Sequence, residues 1–275
     1  WAGLVGAYNG IRAYGLQSGR FSLPKAIECR DLKEMLDHAK SADLPDDFRI
    51  VLTGSGRVGQ GALEVLKHMK LRGVHKDDFL RMDFPDPVFV HLEVDDYNER
   101  IDGQPFDYDE FVDDATGYQS TFMPFGQRAD LFIAGHFWAD GSPFLFTRED
   151  MRNPAWSVKV VADISCDIDG PVACTVRPST IADPLYGYDP GTESECALDH
   201  PDAITVMAVD NLPCELPRDA SEGFGRELMA HVIPLLVAGD DDGILHAASE
   251  TTLTGELNAP FAYLAEYAEK GGEEL

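Results

Sequence analysis

The sequence predicts an α/β fold in which a mostly parallel sheet is flanked by helices. Short apolar runs that fit buried strands alternate along the chain with segments of helical periodicity, as in a series of βαβ units. A glycine-rich turn joins the first of these strands directly to a helix, which is how a βαβ unit begins. The chain has 275 residues and is 44% hydrophobic, enough for a packed core.

The first predicted elements are two helices and a strand. Residues 1–16 are rich in Gly and Ala and predict a tightly packed helix. Apolar residues recur at helical spacing between residues 32 and 39, which indicates an amphipathic helix. The compact run Phe48–Thr53, which has a continuous apolar core, then predicts a strand that is buried in a parallel sheet.

Five further runs predict the remaining strands. They are Asp78–Asp83, Val88–Val94, Ala129–Gly135, Val158–Ser165 and Ala203–Asp210. Residues 95–128 and 168–200 break the alternation, and we expect loops or small excursions around a binding crevice there. From Ser221 onward two helical patterns predict terminal helices that belong to a partial second domain.

Gly54, Gly56 and Gly59 form a GxGxxG motif between the first predicted strand and its helix. In Rossmann-like folds the first glycine permits a tight turn and the second lets the backbone approach a pyrophosphate. The third lets the helix pack against the strand. The helix start also directs free N–H groups and the positive end of its dipole at phosphate. The motif therefore predicts a dinucleotide site, with a glycine turn that binds nothing as the alternative.

An acidic residue that binds the adenosine ribose is expected about 20 residues further on. Asp83 closes the predicted strand 78–83 and is the first candidate, while Glu93, which closes a later strand, is the competitor. A carboxylate there would repel a 2′-phosphate, so NAD is predicted as the cofactor in preference to NADP. Arg81 weakens that preference, because a nearby basic residue can accommodate the extra phosphate.

Charge and cysteine content exclude several classes of function. With 49 acidic and 22 basic residues, the net charge of -27 should repel nucleic acid and anionic membranes. This negative charge either serves solubility in general or reflects adaptation to a saline cytoplasm. No apolar run approaches the roughly 20 residues of a membrane span. Five cysteines without a CxxC pair indicate reduced thiols, and we expect a cytoplasmic protein without a metal site.

Four segments carry more specific signals. They are GSGRVGQGALEVL, ADLFIAGHFW, VVADISCD and VDNLPCELPRDASEGFG, in this order. The last is the most distinctive, because a DxLPxxLPRxAS pattern is not a general feature of dinucleotide-binding domains. Together they resemble the lysine-forming saccharopine dehydrogenases, which are relatives of alanine dehydrogenase and of the transhydrogenase cofactor domain. The resemblance covers essentially the whole chain, but residues 84–128 and 168–200 match poorly.

The resemblance implies a set of contacts. The cofactor would be held by Gly54, Gly56, Arg57, Val58 and Gly59 at the pyrophosphate, Asp83 at the ribose, Phe137 at its flank, Ile164 at the nicotinamide, and Val209, Asp210, Asn211 and Leu212 over the nicotinamide ribose. Ser165, Cys166 and Asp167 would contact the amino-acid substrate. Cys166 stands where the family usually has a smaller residue, and Asn211 replaces a histidine of some members. Both departures bear on which substrate is bound.

The activity implied by the resemblance is NAD-dependent oxidation of a CH–NH bond, converting saccharopine to lysine and 2-oxoglutarate. The family's catalytic lysine and histidine lie in an N-terminal domain ahead of the residues that match Trp1. We therefore expect a fragment that is inactive by itself and name no catalytic residue. Two other functions remain open, an alanine-dehydrogenase-like enzyme and a non-catalytic NAD(H)-binding sensor or scaffold. The oligomeric state is not predicted.

These expectations divide the chain into three parts. Residues 1–43 are assigned to inter-domain helices, 44–225 to the NAD-binding Rossmann-like domain, and 226–275 to C-terminal helices that return toward the N-terminal domain. Two further features have structural interpretations. His136 is expected to be a hydrogen-bonded loop histidine. Phe106, Tyr108 and Phe111 alternate with acids and are expected to pack within a loop and not to form a stacking platform, because a base-binding surface would have basic neighbours.

Overall fold

The computed structural model describes residues 1–139 and 141–269, and the chain divides into two compact units, Trp1–Ala220 and Ser221–Leu275. The first unit is built around a sheet of eight strands with a separate two-stranded hairpin. In chain order the strands are β1 (Arg49–Thr53), β2 (Arg72–Gly73), β3 (Val88–Leu92), β4 (Asn98–Arg100), β5 (Tyr118–Ser120), β6 (Leu131–Ala134), β7 (Val160–Asp163), β8 (Leu185–Asp189), β9 (Ser194–Cys196) and β10 (Ile204–Met207).

Eleven α-helices lie within the described residues, together with short 3-10 turns and one π-helical turn at Leu228–Val232. The α-helices are α1 (Ala2–Ser18), α2 (Leu32–Ala39), α3 (Arg57–His68), α4 (Lys76–Arg81), α5 (Tyr108–Asp113), α6 (Met123–Gly126), α7 (Arg148–Met151), α8 (Pro217–Glu227), α9 (Ile233–Ala238), α10 (Ile244–Ala248) and α11 (Ala265–Glu269).

The strand order of the large sheet is β2-β3-β1-β6-β7-β10-β8-β9. The strands from β2 to β10 in this order run parallel, and β8 and β9 extend the sheet as antiparallel strands. Thr53 pairs with Leu92 on one side and with Ala134 on the other, and Ala134 pairs with Asp163. The carboxyl ends of β3, β1, β6 and β7 therefore lie along one edge. The predicted mostly parallel α/β sheet is confirmed.

Five of the six predicted strands are confirmed as β1, β3, β6, β7 and β10. The strand predicted at Asp78–Asp83 is wrong, because these residues mainly form α4. Only Phe79 of this helix is buried, and its first turn carries Asp77 and Asp78, which favour a helix N-terminus. Loops or small excursions are predicted for 95–128 and 168–200. The first segment contains the hairpin β4–β5 with α5 and α6, and the second contains β8 and β9. Leu185, Tyr186 and Tyr188 of β8 are buried.

The N-terminal helix is packed tightly into the first unit. Gly3 of α1 lies so close to α3 that a Cβ atom there would come within 1.9 Å of the Val58 carbonyl oxygen. Gly10 faces β7 in the same way, since its Cβ would meet the Cβ of Ala162 at 2.8 Å. Residues 1–43, assigned above to inter-domain helices, thus belong to the same compact unit as the sheet.

The second unit has a different character. It contains α9, α10 and α11, and no residue described between 221 and 269 is buried. Large apolar side chains on it are exposed, among them Phe224, Met229, Val237 and Leu253. Residues 270–275 of the predicted C-terminal helices lie outside the described residues. Across the described part of the whole chain, no helix is both long enough and apolar enough to cross a bilayer.

Candidate functional site

A cleft of about 590 Å³ lies at the carboxyl edge of the parallel sheet. The chain leaves β1 for β3 on one side and later enters β6 on the other, so the strand order reverses around β1. Ligands of open α/β sheets bind at such reversal points. The turn after β1, at 54–58, and the segment after β6, at 135–138, both line the cleft. The fold therefore places the glycine motif at the expected ligand position.

Two of the three motif glycines are required by packing. Gly54 has a φ of +95°, in the region that favours glycine, and a Cβ there would lie 2.3 Å from the Gly135 carbonyl oxygen. At Gly59, in the first turn of α3, a Cβ would lie 1.7 Å from the carbonyl oxygen of Gly54. The backbone therefore leaves no room for a side chain at either glycine, as the sequence predicts for the first and third positions of the motif.

Gly56 is different, because a Cβ added there would meet nothing within 4 Å. Packing does not require glycine at this position, which caps α3 and lines the cleft. A side chain there would project into open space beside the helix N-terminus. Arg57 and Val58 line the cleft at the same end of α3. This bare backbone fits a diphosphate that approaches main-chain N–H groups.

Asp83 is not at this edge of the sheet. Its carboxylate lies 3.0 Å from Arg49 and 3.0 Å from Arg128, and Arg49 begins β1. The five residues of β1 separate its start from the glycine turn by roughly 13 Å. Because 78–83 is not a strand that ends beside β1, the structure does not bring Asp83 to the candidate site.

Glu93, the competing acid, does lie beside the turn. It directly follows β3, which pairs with β1, and the Gly54 N–H donates to the Leu92 carbonyl at 3.2 Å. His91 Nε2 also donates to the Gly54 carbonyl oxygen at 2.7 Å. Glu93 is exposed. β2 and α4 intervene between α3 and β3, which explains why this acid comes later in the sequence than the usual spacing.

His136 occupies the centre of the cleft wall, directly after β6. Its Nδ1 lies 2.8 Å from Thr53 Oγ1, so it links the ends of β6 and β1. The predicted hydrogen-bonded loop histidine is confirmed. Burial lowers the pKa of His136 to about 4, and the ring is neutral near pH 7. Within the described residues its Nε2 is buried without a hydrogen-bond partner.

The loop after β7 is shaped by a buried carboxylate. Asp163 accepts hydrogen bonds from Ser165 Oγ at 2.7 Å and from the Cys166 N–H at 3.2 Å. Thr175 Oγ1 donates to its other oxygen at 2.6 Å. Burial raises the pKa of Asp163, and these hydrogen bonds oppose the rise. Ser165 and Asp167, two of the predicted substrate contacts, line the cleft as a result.

Cys166, between them, has a φ of 56° and donates from Sγ to the Ala208 carbonyl at 3.2 Å. Burial raises the pKa of its thiol to about 12, so the sulfur is a protonated packing group. Ile164 is also turned away from the cleft. Its side chain packs on α1, where a Cβ at Gly6 would come within 2.5 Å of it.

Phe137 lines the cleft with 90% of its surface exposed, as the resemblance implies for a flanking aromatic residue. The predicted group Val209, Asp210, Asn211 and Leu212 is not part of the cleft lining. Val209 and Leu212 are buried in the core, whereas Asp210 and Asn211 are exposed. The structure thus brings together seven predicted site residues, which are Gly54, Gly56, Arg57, Val58, Phe137, Ser165 and Asp167.

Sequence reasoning missed the hairpin side of the cleft. Its lining includes Val94, Tyr97, Tyr108, Phe111 and Val112. The prediction of loop packing is confirmed for Phe106 and Phe111, whose ring centroids are 5.2 Å apart. It is wrong for Tyr108, which is 63% exposed at the cleft. In the sequence, the helical spacing of Tyr108, Phe111 and Val112 indicates that these three side chains share one face.

No family model matches the chain. The mitochondrial alpha-aminoadipic semialdehyde synthase of Mus musculus is 24% identical over 283 aligned positions, covering 86% of this chain and 30% of that protein. The lysine-forming, NAD(+) saccharopine dehydrogenase of Schizosaccharomyces pombe is 26% identical and covers 68% of this chain and 41% of that one. That of Emericella nidulans is 23% identical, with coverages of 75% and 46%.

A solved L-alanine dehydrogenase has a TM-score of 0.47 and 15% identity, covering 94% of this chain and 58% of that structure. The chain spans about a third of the length of the semialdehyde synthase and less than half that of the fungal enzymes. The chain is thus similar in sequence to saccharopine dehydrogenases and to alpha-aminoadipic semialdehyde synthases.

Proposed function

We propose that this chain binds a nicotinamide dinucleotide, NAD in preference to NADP, in the cleft at the carboxyl edge of the sheet. It would thereby supply the cofactor-binding part of an oxidoreductase that acts on the CH–NH bond of an amino acid, converting saccharopine to lysine and 2-oxoglutarate. The observation that carries the proposal is Gly56, where packing does not require glycine and the backbone faces the open cleft.

Each part of the cleft would bind a different part of the cofactor or substrate. The amides at the start of α3, with Arg57, would hold the diphosphate, and Glu93 would accept hydrogen bonds from ribose hydroxyls in place of Asp83. A bound nicotinamide would supply the hydride acceptor for oxidation of the substrate's CH–NH carbon, and water would hydrolyse the resulting imine. Ser165 and Asp167, at the end of β7, would face the reacting end of the cofactor. No group that acts as acid or base is assigned here.

Binding is tested by substituting the glycines one at a time. Gly56→Ala should weaken NADH binding at least about tenfold, because the added methyl projects where the diphosphate must approach. It should change the free energy of unfolding by no more than about 1 kcal/mol, the scale of a helix-cap change. Gly117→Ala is the matched control, since a Cβ there also meets nothing within 4 Å but lies outside the cleft lining.

NADH fluorescence titration reads the affinity, and urea unfolding reads the stability of each variant. Gly59→Ala should show the opposite pattern, a loss of stability with or without the cofactor, because its Cβ would overlap the Gly54 carbonyl. A folded Gly56→Ala protein that binds NADH as tightly as wild type would refute the diphosphate assignment. Absence of NADH binding by the wild type at millimolar concentration would refute cofactor binding altogether.

The identity of the substrate is tested by an activity assay on the full-length protein that contains this chain. NAD reduction with saccharopine but not with alanine supports the proposal, and the reverse supports an alanine-dehydrogenase-like enzyme. Tight NADH binding without turnover of either amino acid favours a sensor or scaffold.

A further inference from the structure

The segment between β4 and β5 presents an apolar helix face at one end of the cleft. Tyr108, Phe111 and Val112 of α5 are spaced i, i+3, i+4 and therefore share one face. All three line the cleft. Phe111 is fixed by its ring contact with Tyr118, with centroids 5.0 Å apart. Tyr108 and Val112 instead remain 63% and 61% exposed.

This face is held in place by the hairpin rather than by the rest of the cleft. β4 and β5 pair antiparallel, and Tyr118 Oη donates to the Asp107 carbonyl oxygen at 3.0 Å, just before α5. Arg100 of β4 forms an ion pair with Glu110 of α5. Tyr118 itself is buried. Within the part of the chain that the structure describes, the side chain of Tyr108 has no hydrogen bond and no aromatic ring contact. The hairpin therefore fixes the position of α5, while the cleft-facing side chains Tyr108 and Val112 remain exposed.

The sheet order identifies which part of a dinucleotide would reach α5. The ribose-binding acid belongs to the strand beside β1, so the adenosine lies on the β3 side and the nicotinamide on the side of β6 and β7. Val94, which directly follows Glu93, and Tyr97 line the cleft together with the α5 face. A neutral aromatic base fits an apolar face, whereas a phosphate would be repelled by the acids around it, such as Asp109 and Asp113.

We propose that α5 is the adenine-binding wall of the cleft, with the ring of Tyr108 stacked on the base and Val112 packed beside it. The inference rests on the proposed function, because it assigns the adenosine end of the same cofactor. It makes the hairpin segment, which matches the family poorly, a determinant of cofactor affinity in this chain.

The test measures the equilibrium binding of ADP-ribose, NADH and reduced nicotinamide mononucleotide by calorimetry. Tyr108→Ala should weaken the binding of ADP-ribose and NADH about tenfold or more, the effect expected from losing one base–aromatic stack. The mononucleotide has no adenine, and its affinity should not change. Tyr108→Phe keeps the ring and should bind all three like wild type.

Ile101→Ala is the matched control, because Ile101 is 62% exposed on the same segment but does not line the cleft. Equal thermal midpoints of the free proteins show that the variants are folded. ADP-ribose affinity that is unchanged by Tyr108→Ala, in a wild type that binds NADH, overturns the adenine wall and leaves the proposed function intact. A wild type that binds neither NADH nor ADP-ribose overturns the proposed function itself.

Discussion

The two sides of the cleft are built in opposite ways. On the β7 side, the loop 165–167 is fixed by Asp163, which is fully buried and accepts three hydrogen bonds. On the β3 side, Glu93 and the α5 side chains Tyr108 and Val112 are exposed. Interactions of the first kind stabilise the protein before any ligand binds. Those of the second kind contribute only when a ligand covers them, so mutations on the two sides should be visible in different measurements.

The largest expected effect is a loss of folding stability on the β7 side. Asp163→Ala removes the acceptor for Ser165, Thr175 and the Cys166 N–H, and leaves the buried Thr175 hydroxyl and two half-buried donors without this partner. We expect the free energy of unfolding to fall by about 3 kcal/mol or more, since each unsatisfied buried group costs about 1–3 kcal/mol. Urea unfolding of the ligand-free protein measures this loss.

Two variants make that measurement specific. Asp163→Asn keeps one carbonyl oxygen as an acceptor and should lose much less stability than Asp163→Ala. Asp86→Ala removes an exposed carboxylate and should stay within about 0.5 kcal/mol of wild type. If Asp163→Ala were as stable as Asp86→Ala, the proposed difference between the two sides would disappear.

The next effect concerns His136, which lies between the two sides. Burial lowers its pKa to about 4, so below pH 6.5 the unfolded chain takes up a proton that the folded protein does not. Stability is therefore fully present above pH 6.5 and declines as the pH falls toward 4. The loss from this residue between pH 7.5 and 4.5 should be about 2.5 kcal/mol.

His136→Gln removes that proton and should flatten the pH dependence of unfolding by this amount relative to wild type. His200→Gln, at an exposed position, is the control and should follow wild type. Urea midpoints across the pH range provide the comparison. Parallel curves for His136→Gln and wild type would show that the ring is accessible to protons in the folded protein.

The same contrast explains which features were predictable from the sequence. Local signals were sufficient for five of the six predicted strands. They were also sufficient for the glycine turn, because Gly59 is required by a contact with Gly54 within one strand–turn–helix unit. The prediction that Asp83 lies at the ribose was wrong because β2 and α4 separate α3 from β3. A rule based on the usual number of residues between the glycines and the acid does not allow for these two extra elements. Sheet pairing, a long-range property, brings Glu93 rather than Asp83 beside the glycine turn.

The directions in which side chains point could not be predicted from the sequence either. Ser165 and Asp167 reach the cleft, but Ile164 packs on α1 and Cys166 is turned toward Ala208. This division depends on the hydrogen bonds that Asp163 makes with its own loop and with Thr175, twelve residues away. The family resemblance pointed to a segment that reaches the cleft, whereas only the tertiary contacts separate its lining residues from its core residues.

The smallest expected effect tests the β3 side through cofactor choice. Glu93 is exposed beside the glycine turn, and a carboxylate there repels the 2′-phosphate of NADP. Glu93→Gln should narrow the ratio of NADPH to NADH dissociation constants by about tenfold, or about 1.4 kcal/mol, without changing the unfolding of the free protein. Asp83→Asn should leave the ratio unchanged, because Asp83 lies at the opposite edge of the sheet beside Arg49. If Asp83→Asn altered the ratio and Glu93→Gln did not, the ribose would have to bind away from β3, and the assignment of the exposed side to the adenosine would be wrong.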